Sequence, residues 1–357
     1  MPNLLPVDLR SDTVTRPTPE MRAAMAAAEV GDDVFREDPT VRRLEERAAE
    51  LMGKEAALFV ASGCMANLVC VMAQIPAGGE IVLGEMSHMR NAESGAYARF
   101  AQVKEWPLPT DKFGNYDPAR LAAAIHVGCG LPGGNPHRAT TRLLCLENTN
   151  NYCGGTVQTP ARMSASVQAA RSQAPWIKVH LDGARIFNAA VALGIPAREL
   201  AAVSDSVCFC VSKGLSSPVG SLVCGSRDFV TEALGCRKML GGGMRQVGVL
   251  AACGLVSVSE PMIARLAEDH VNCRRLAEGL AELPGVKLDL ETVQTNILYL
   301  TYRGPKGDSE WLLRALNAAG VRCLVVAGRI RMVTHREVSR AQVDEALRIA
   351  RHLVTGA

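Results

Sequence analysis

The stretch from Val207 to Gly225, VCFCVSKGLSSPVGSLVCG, constrains the fold more than any other part of the chain. Its first five residues are apolar and rich in β-branched and aromatic types, which reads as a strand buried on both faces. Such strands belong to a mostly parallel sheet covered by helices. Ser212-Lys213-Gly214 ends the run, and Ser221 to Cys224 reads as one more short strand. A lysine delivered from the end of a buried strand sits where desolvation lowers the pKa of its amine, as a Schiff-base nucleophile requires. An average loop lysine is simply solvated, so the rest of the chain must choose between these readings.

The same strand-then-turn grammar recurs. Ala56 to Ala61 reads as a strand running into Ser62-Gly63-Cys64-Met65-Ala66-Asn67 and an apolar helix, LVCVMAQI. That geometry binds phosphate, because the N–H groups and positive dipole at the helix start face the anion. Glu80 to Glu85 is a further strand and delivers His88. Arg142 to Leu146 leads into Glu147-Asn148-Thr149-Asn150-Asn151, and Trp176 to Leu181 into Asp182-Gly183-Ala184-Arg185. A carboxylate at the end of a buried strand is costly unless paired, so Asp182 is either salt-bridged to Arg185 or aimed at a ligand cation. In open α/β sheets ligands bind past the carboxyl ends of the strands. A phosphate turn at 62–67, a flat ring at His88, an acid at Asp182 and an amine at Lys213 together outline a pyridoxal phosphate site.

At 357 residues the chain exceeds what one core usually serves. We expect a large domain over 1–260, including an N-terminal arm, and a small α+β domain over 261–357, where short strands alternate with two helices. A formal net charge of +3 without a basic run excludes nucleic acid as the natural partner. No apolar stretch reaches membrane-spanning length and the first residues lack signal-peptide character, so a cytoplasmic enzyme is expected. The twelve cysteines lie mostly inside apolar runs, as reduced core thiols do, and the seven histidines form no zinc-binding spacing. Residues 8–19 read as an extended arm outside the core, and the acidic loop 31–40 as solvated. Residues 129–137 read as a surface loop. The glycine-rich 238–245 reads as a hinge before one long helical run.

Taken in order, the segments DLRSDTVTRPTPEMR, VGDDVFREDPTVRRLEE, GKEAALFVASGCMAN, LGEMSH, LENTNNYCGG, HLDGARIFNAA, FCVSKGLSSPVGS, KMLGGGMRQ, VQTNI and IRMVTHREVS resemble the low-specificity L-threonine aldolases of fold type I, the aspartate aminotransferase-like enzymes. The resemblance runs from Asp8 to about residue 350. It implies that Lys213 binds the cofactor covalently, that Asp182 partners the pyridine nitrogen, that His88 stacks on the ring and that Arg185 contacts cofactor or substrate. Gly63 and Cys64 fall where the family cradles phosphate, Ser11 and Arg331 where it holds the substrate carboxylate, and Lys238 and Arg245 form a basic pair near the site. The implied reaction is retro-aldol cleavage of L-threonine or L-allo-threonine to glycine and acetaldehyde, by a homotetramer built from dimers.

Three positions depart from the family pattern. Phe35-Arg36 stands where Tyr-Gly is common, Cys64 where Thr is common, and Asn150 where His is common. A thiol in place of a phosphate-binding hydroxyl costs roughly 1 kcal/mol of cofactor binding. Asn150 bears on the chemistry directly, since an amide cannot take up a proton at neutral pH. Two alternatives therefore stay open: an aldolase or lyase for another β-hydroxy or α-substituted amino acid, and a catalytically weakened paralogue that keeps the cofactor.

Overall fold

The computed structural model describes residues 6–129 and 131–356. The chain enters through a two-residue strand, β1 (Val7–Asp8), and then builds a seven-stranded sheet from β2 (Ala56–Val60), β3 (Glu80–Gly84), β4 (Lys104–Leu108), β5 (Thr141–Glu147), β6 (Lys178–Asp182), β7 (Ser206–Cys210) and β8 (Ser221–Gly225). Their order across the sheet is β2-β8-β7-β6-β5-β3-β4, with β3 to β7 parallel and β8 antiparallel to both its neighbours. Side chains alternate between two helical layers. Val207 and Phe209 pack with the helices Pro39–Met52, Pro160–Gln173 and Ile186–Leu193, whereas Cys208 packs with Gly63–Gln74 and Arg227–Met239. Every residue of β7 is buried, as a strand covered on both faces must be.

The carboxyl-terminal region forms a second core on β9 (Val286–Lys287), β10 (Ile297–Gly304), β11 (Gly307–Asp308), β12 (Val321–Arg322), β13 (Leu324–Val326) and β14 (Arg329–Val333). Five of these make an antiparallel sheet in the order β11-β10-β14-β13, with β9 also on β10. The sixth, β12, pairs in parallel with β1. This corrects the reading of the arm: Val7 and Leu9 are core residues and Asp12 is fully buried. Pairing with a strand more than 300 residues away supplies the burial that its polar sequence conceals.

The acidic loop is solvated only in part, since Asp33 and Asp38 are buried. Asp38 caps the Pro39–Met52 helix through Thr40 and Val41 N–H, and Asp33 bonds Arg237 at 2.7 Å with both side chains 1 % exposed. Arg237 also donates to the Phe59 carbonyl, which ties the Arg227–Met239 helix to β2. The helical run after the hinge is broken into Gly248–Ser257, Glu260–Ala264 and Leu266–Ala281, bent by 61° after the first piece. Pro261 explains the break, because it cannot donate into a preceding turn. The loop at 129–137 is largely exposed, with Gly130 outside the described residues. Among the described residues no single helix is long and apolar enough to cross a membrane.

Removing Arg237 would leave the buried Asp33 with Arg36, a partly exposed partner at 3.1 Å, and the Phe59 carbonyl without this donor. Arg237→Met should therefore lower unfolding stability by about 1–3 kcal/mol, measured by denaturant unfolding, whereas no loss would mean that Arg36 and solvent compensate fully.

Candidate active site

Lys213 follows β7 on a backbone fixed at its carbonyl, which accepts from Thr15 Oγ1 at 2.8 Å and from Ser216 N at 2.9 Å. Its ammonium lies close enough to Asp12 and Cys64 to influence the ionisation of both. Among the described residues it has no hydrogen-bonded or ion-paired partner.

Asp182 ends β6 and is 2 % exposed. It accepts from Asn67 Nδ2 at 2.9 Å and from Ala184 N at 3.0 Å, and no cationic side chain of lysine or arginine pairs with it. Arg185, its expected partner, turns away. The guanidinium binds Asp12 through Nε at 2.7 Å and a terminal nitrogen at 2.6 Å, a bidentate pair in which both side chains are buried. Burial would raise the Asp12 pKa, but the charges of Arg185 and Lys213 outweigh it and hold the carboxyl well below its usual range. Among the described residues, Asp182 is thus a buried acid whose donors are all neutral.

Asn67 organises that acid. Its amide nitrogen donates to both Asp182 and Glu93, and its oxygen faces His180 Nε2 at 3.0 Å. Burial drops the His180 pKa to about 4, so this histidine is neutral. His88 opens a short helix, His88–Asn91, and its Nδ1 meets Glu93 Oε1 at 2.8 Å. Burial pushes the His88 pKa down, but the bond to Glu93 and the charges of Asp182, Glu93 and Glu147 raise it above the ordinary value. One ligand-type atom from each of His88, Glu93 and Asp182 falls within 4.8 Å of the others.

The helix Gly63–Gln74 starts beside this group, capped by Ser62 Oγ on Met65 N. A Cβ on Gly63 would stand 2.8 Å from Cys210 Sγ, so only glycine lets the helix start approach β7. Cys64 is exposed there, with burial of its thiol pushing the pKa up to about 11. Arg331, on β14, donates to Asn151 Oδ1 and to the Arg10 carbonyl, each at 3.2 Å, and pairs with no acid among the described residues. Ser11 is buried beside Asp12 and caps the turn Asp12–Val14.

The remaining sequence-derived positions sit apart from Lys213. Phe35 is 68 % exposed, Arg245 pairs with Asp32, and Lys238 rests along Gly243. Lys238 ends the Arg227–Met239 helix, which packs against the Gly63 helix, and Gly242 lies beside Met65. Arg36 adopts a left-handed backbone, φ 60°, which explains why glycine suits that place, and its guanidinium pairs with Asp33 and Glu45. Asn150 is buried, its Oδ1 accepting from Cys153 N at 3.2 Å and its Nδ2 lying against Gly114. It also borders a small cavity shared with Glu147 and Asp182. Sequence reading missed Asp12, Asn67, Glu93, Glu147 and Asn151 as parts of the site. Only their positions near the ends of strands or motifs hinted at them.

The Beta-eliminating lyase family model matches residues 8–302. Over 346 residues the chain is 42% identical to low-specificity L-threonine aldolase 1 of Arabidopsis thaliana, covering 96% of this chain and 94% of the relative. It is 41% identical to the low specificity L-threonine aldolase of Escherichia coli K12 over 340 residues, 95% and 96% of the two chains. A Leishmania major threonine aldolase structure superimposes with a TM-score of 0.83 at 18% identity, covering 98% of this chain and all of that one. The chain belongs to the β-eliminating lyase family and, within it, to the low-specificity L-threonine aldolases.

Asp12→Asn leaves Arg185 buried without a counter-charge and should cost about 3–5 kcal/mol of stability at pH 7. Because the folded pKa of Asp12 is depressed, the wild-type advantage is full above about pH 4 and shrinks as the pH falls further. Thermal unfolding of both proteins from pH 7 to pH 3 checks this; a constant difference across that range would contradict it.

Proposed function

We propose that the chain is a pyridoxal phosphate-dependent aldehyde-lyase that cleaves L-threonine and L-allo-threonine to glycine and acetaldehyde. The observation that carries this reading is the pairing of Arg185 with Asp12, which leaves Asp182 as a buried acid free of lysine and arginine. The cofactor fits the residues present. A protonated ring nitrogen would answer Asp182, a phosphate the N–H groups at Gly63 and Cys64, and the aldehyde Lys213, whose amine has no partner among the described residues. When bound, pyridoxal phosphate supplies a cationic ring that accepts the electron pair released as the substrate Cα–Cβ bond breaks.

The chain's own groups do the rest. Asp182 would hold the proton on the ring nitrogen, and Asn67 fixes the acid's orientation. His88, held at Nδ1 by Glu93, is the flat side chain that would stack on the ring. Arg331, without an acidic partner, takes the substrate α-carboxylate together with Ser11, and this sets the direction of the breaking bond. Arg185 is too firmly engaged with Asp12 to swing, so its role is to hold the arm, and through Thr15 the backbone of Lys213. By the family resemblance Asn150 would stand near the proton leaving the β-hydroxyl, yet its oxygen already accepts from Cys153 N.

The same reading makes the protein a homotetramer of paired dimers. Phe35 at 68 % and Met239 at 71 % exposure are apolar side chains next in sequence to Arg36 and Lys238, and a partner subunit would cover them. A sedimentation mass near 38.1 kDa, that of one chain, would refute this. A division near residue 260 would place the substrate between two domains, and early proteolytic cleavage elsewhere would argue against it. Twelve free thiols accord with a cytoplasmic, reducing setting; disulfides in protein isolated under thiol-blocking conditions would speak against that.

Purified protein with threonine should yield equimolar glycine and acetaldehyde, and Lys213→Ala should abolish both. Absence of aldehyde from every β-hydroxy amino acid tested, at full cofactor loading, would reject the aldolase reading. If the amide at 150 limits proton removal, Asn150→His raises kcat for threonine about tenfold or more; an unchanged kcat would place the limiting proton transfer elsewhere.

A further inference from the structure

One buried acid beside the site has no part in the chemistry described above. Glu147 is the last residue of β5, in register with Asp182 on β6, and 6 % exposed. Its Oε2 accepts from His88 N at 2.7 Å and its Oε1 from Asn151 N at 2.8 Å. The two donors belong to different loops that converge on one side chain. Only a carboxylate presents acceptors to both, since glutamine would turn an NH2 group against one of the two N–H groups. Holding the charge there is costly: burial, and then the neighbouring Asp182, raise the Glu147 pKa to about 7 against the two backbone bonds. A neutral isostere would avoid that cost, so what the acid provides is the double acceptance.

The connection continues beyond the loops. Asn151 Oδ1 accepts from one terminal nitrogen of Arg331 at 3.2 Å, and the other donates to the Arg10 carbonyl at 3.2 Å. The Arg331 Nε is buried without a partner among the described residues. A single carboxylate therefore spaces His88, beside the large sheet, from Arg331 on the antiparallel sheet. We propose that Glu147 is a positioning residue, a clasp that sets the His88 ring against the Arg331 guanidinium and so determines where a bound α-carboxylate sits relative to the cofactor. The proposal rests on the reading of Arg331 as the carboxylate-binding group. Glu147 itself touches neither substrate nor cofactor.

Glycine binding tests the clasp without turnover. The dissociation constant of glycine is measured through the absorbance change of cofactor-loaded protein for wild type, Glu147→Gln, Asn151→Ala and the double variant, with cofactor affinity and melting temperature read alongside. Each single variant should bind glycine about tenfold more weakly, as loss of one charge-assisted anchor does. The double variant should bind no more weakly than the weaker single one, because both act along one path. Unchanged glycine affinity in Glu147→Gln overturns the proposal, as do effects that multiply in the double variant. A purely structural role would lower the melting temperature and leave glycine affinity of the loaded protein alone, which also overturns it. Should Glu147→Gln fail to fold, Asn151→Ala carries the test: tenfold weaker glycine binding at unchanged cofactor affinity supports the clasp, and wild-type glycine affinity overturns it. Failure of the aldolase reading is a separate result, in which wild-type protein binds glycine but releases no aldehyde. Wild-type protein that binds no glycine overturns the clasp as well.

Discussion

The site depends on an ion pair that lies beside it. Arg185 sits three residues after Asp182, yet it reaches Asp12 across 173 residues of sequence and grips both carboxylate oxygens. Two consequences follow from that choice. The amino-terminal arm is pinned against the sheet, where Thr15 bonds the Lys213 carbonyl. And Asp182 remains a buried acid supported by an amide and a backbone N–H, with no lysine or arginine to satisfy it. An acid held in that state is stable only if its surroundings donate to it or a ligand supplies positive charge. On the proposed reading, a cationic pyridine ring would supply that charge.

The parallel sheet makes this arrangement possible by aligning strand ends. The phosphate turn after β2, His88 after β3, Glu147 on β5, Asp182 on β6 and Lys213 after β7 all emerge at one edge, although they span 150 residues. Covering the sheet with helices on both faces keeps that edge dry enough for its acids and its neutral histidine to hold their unusual ionisation states. The second core adds Arg331 from β14, and β1–β12 pairing draws the arm and the antiparallel sheet together.

What the sequence reveals is local. Lys213, Asp182, His88 and Gly63 each stand directly after an apolar run, so their placement could be read from strand and turn signals alone. What it hides is long-range pairing. Nothing near Asp12 marks it as the partner of Arg185, and proximity along the chain suggested Asp182 instead. The arm and the acidic loop look solvated because the residues that bury them, Val321 and Arg237, lie hundreds of positions away. Asn67 looks like an ordinary helix residue until the fold brings Asp182, Glu93 and His180 onto its amide. Motif resemblance points to Arg331, but not to Glu147, which bonds the loops at His88 and Asn151.

The account stands or falls on which amine takes the cofactor. Protein loaded with pyridoxal phosphate, reduced with borohydride and digested should carry one pyridoxyl group per chain, located by mass spectrometry on the peptide containing Lys213. Label on another lysine, or a stable spectral complex that leaves no label on Lys213, would contradict the site assembled around it.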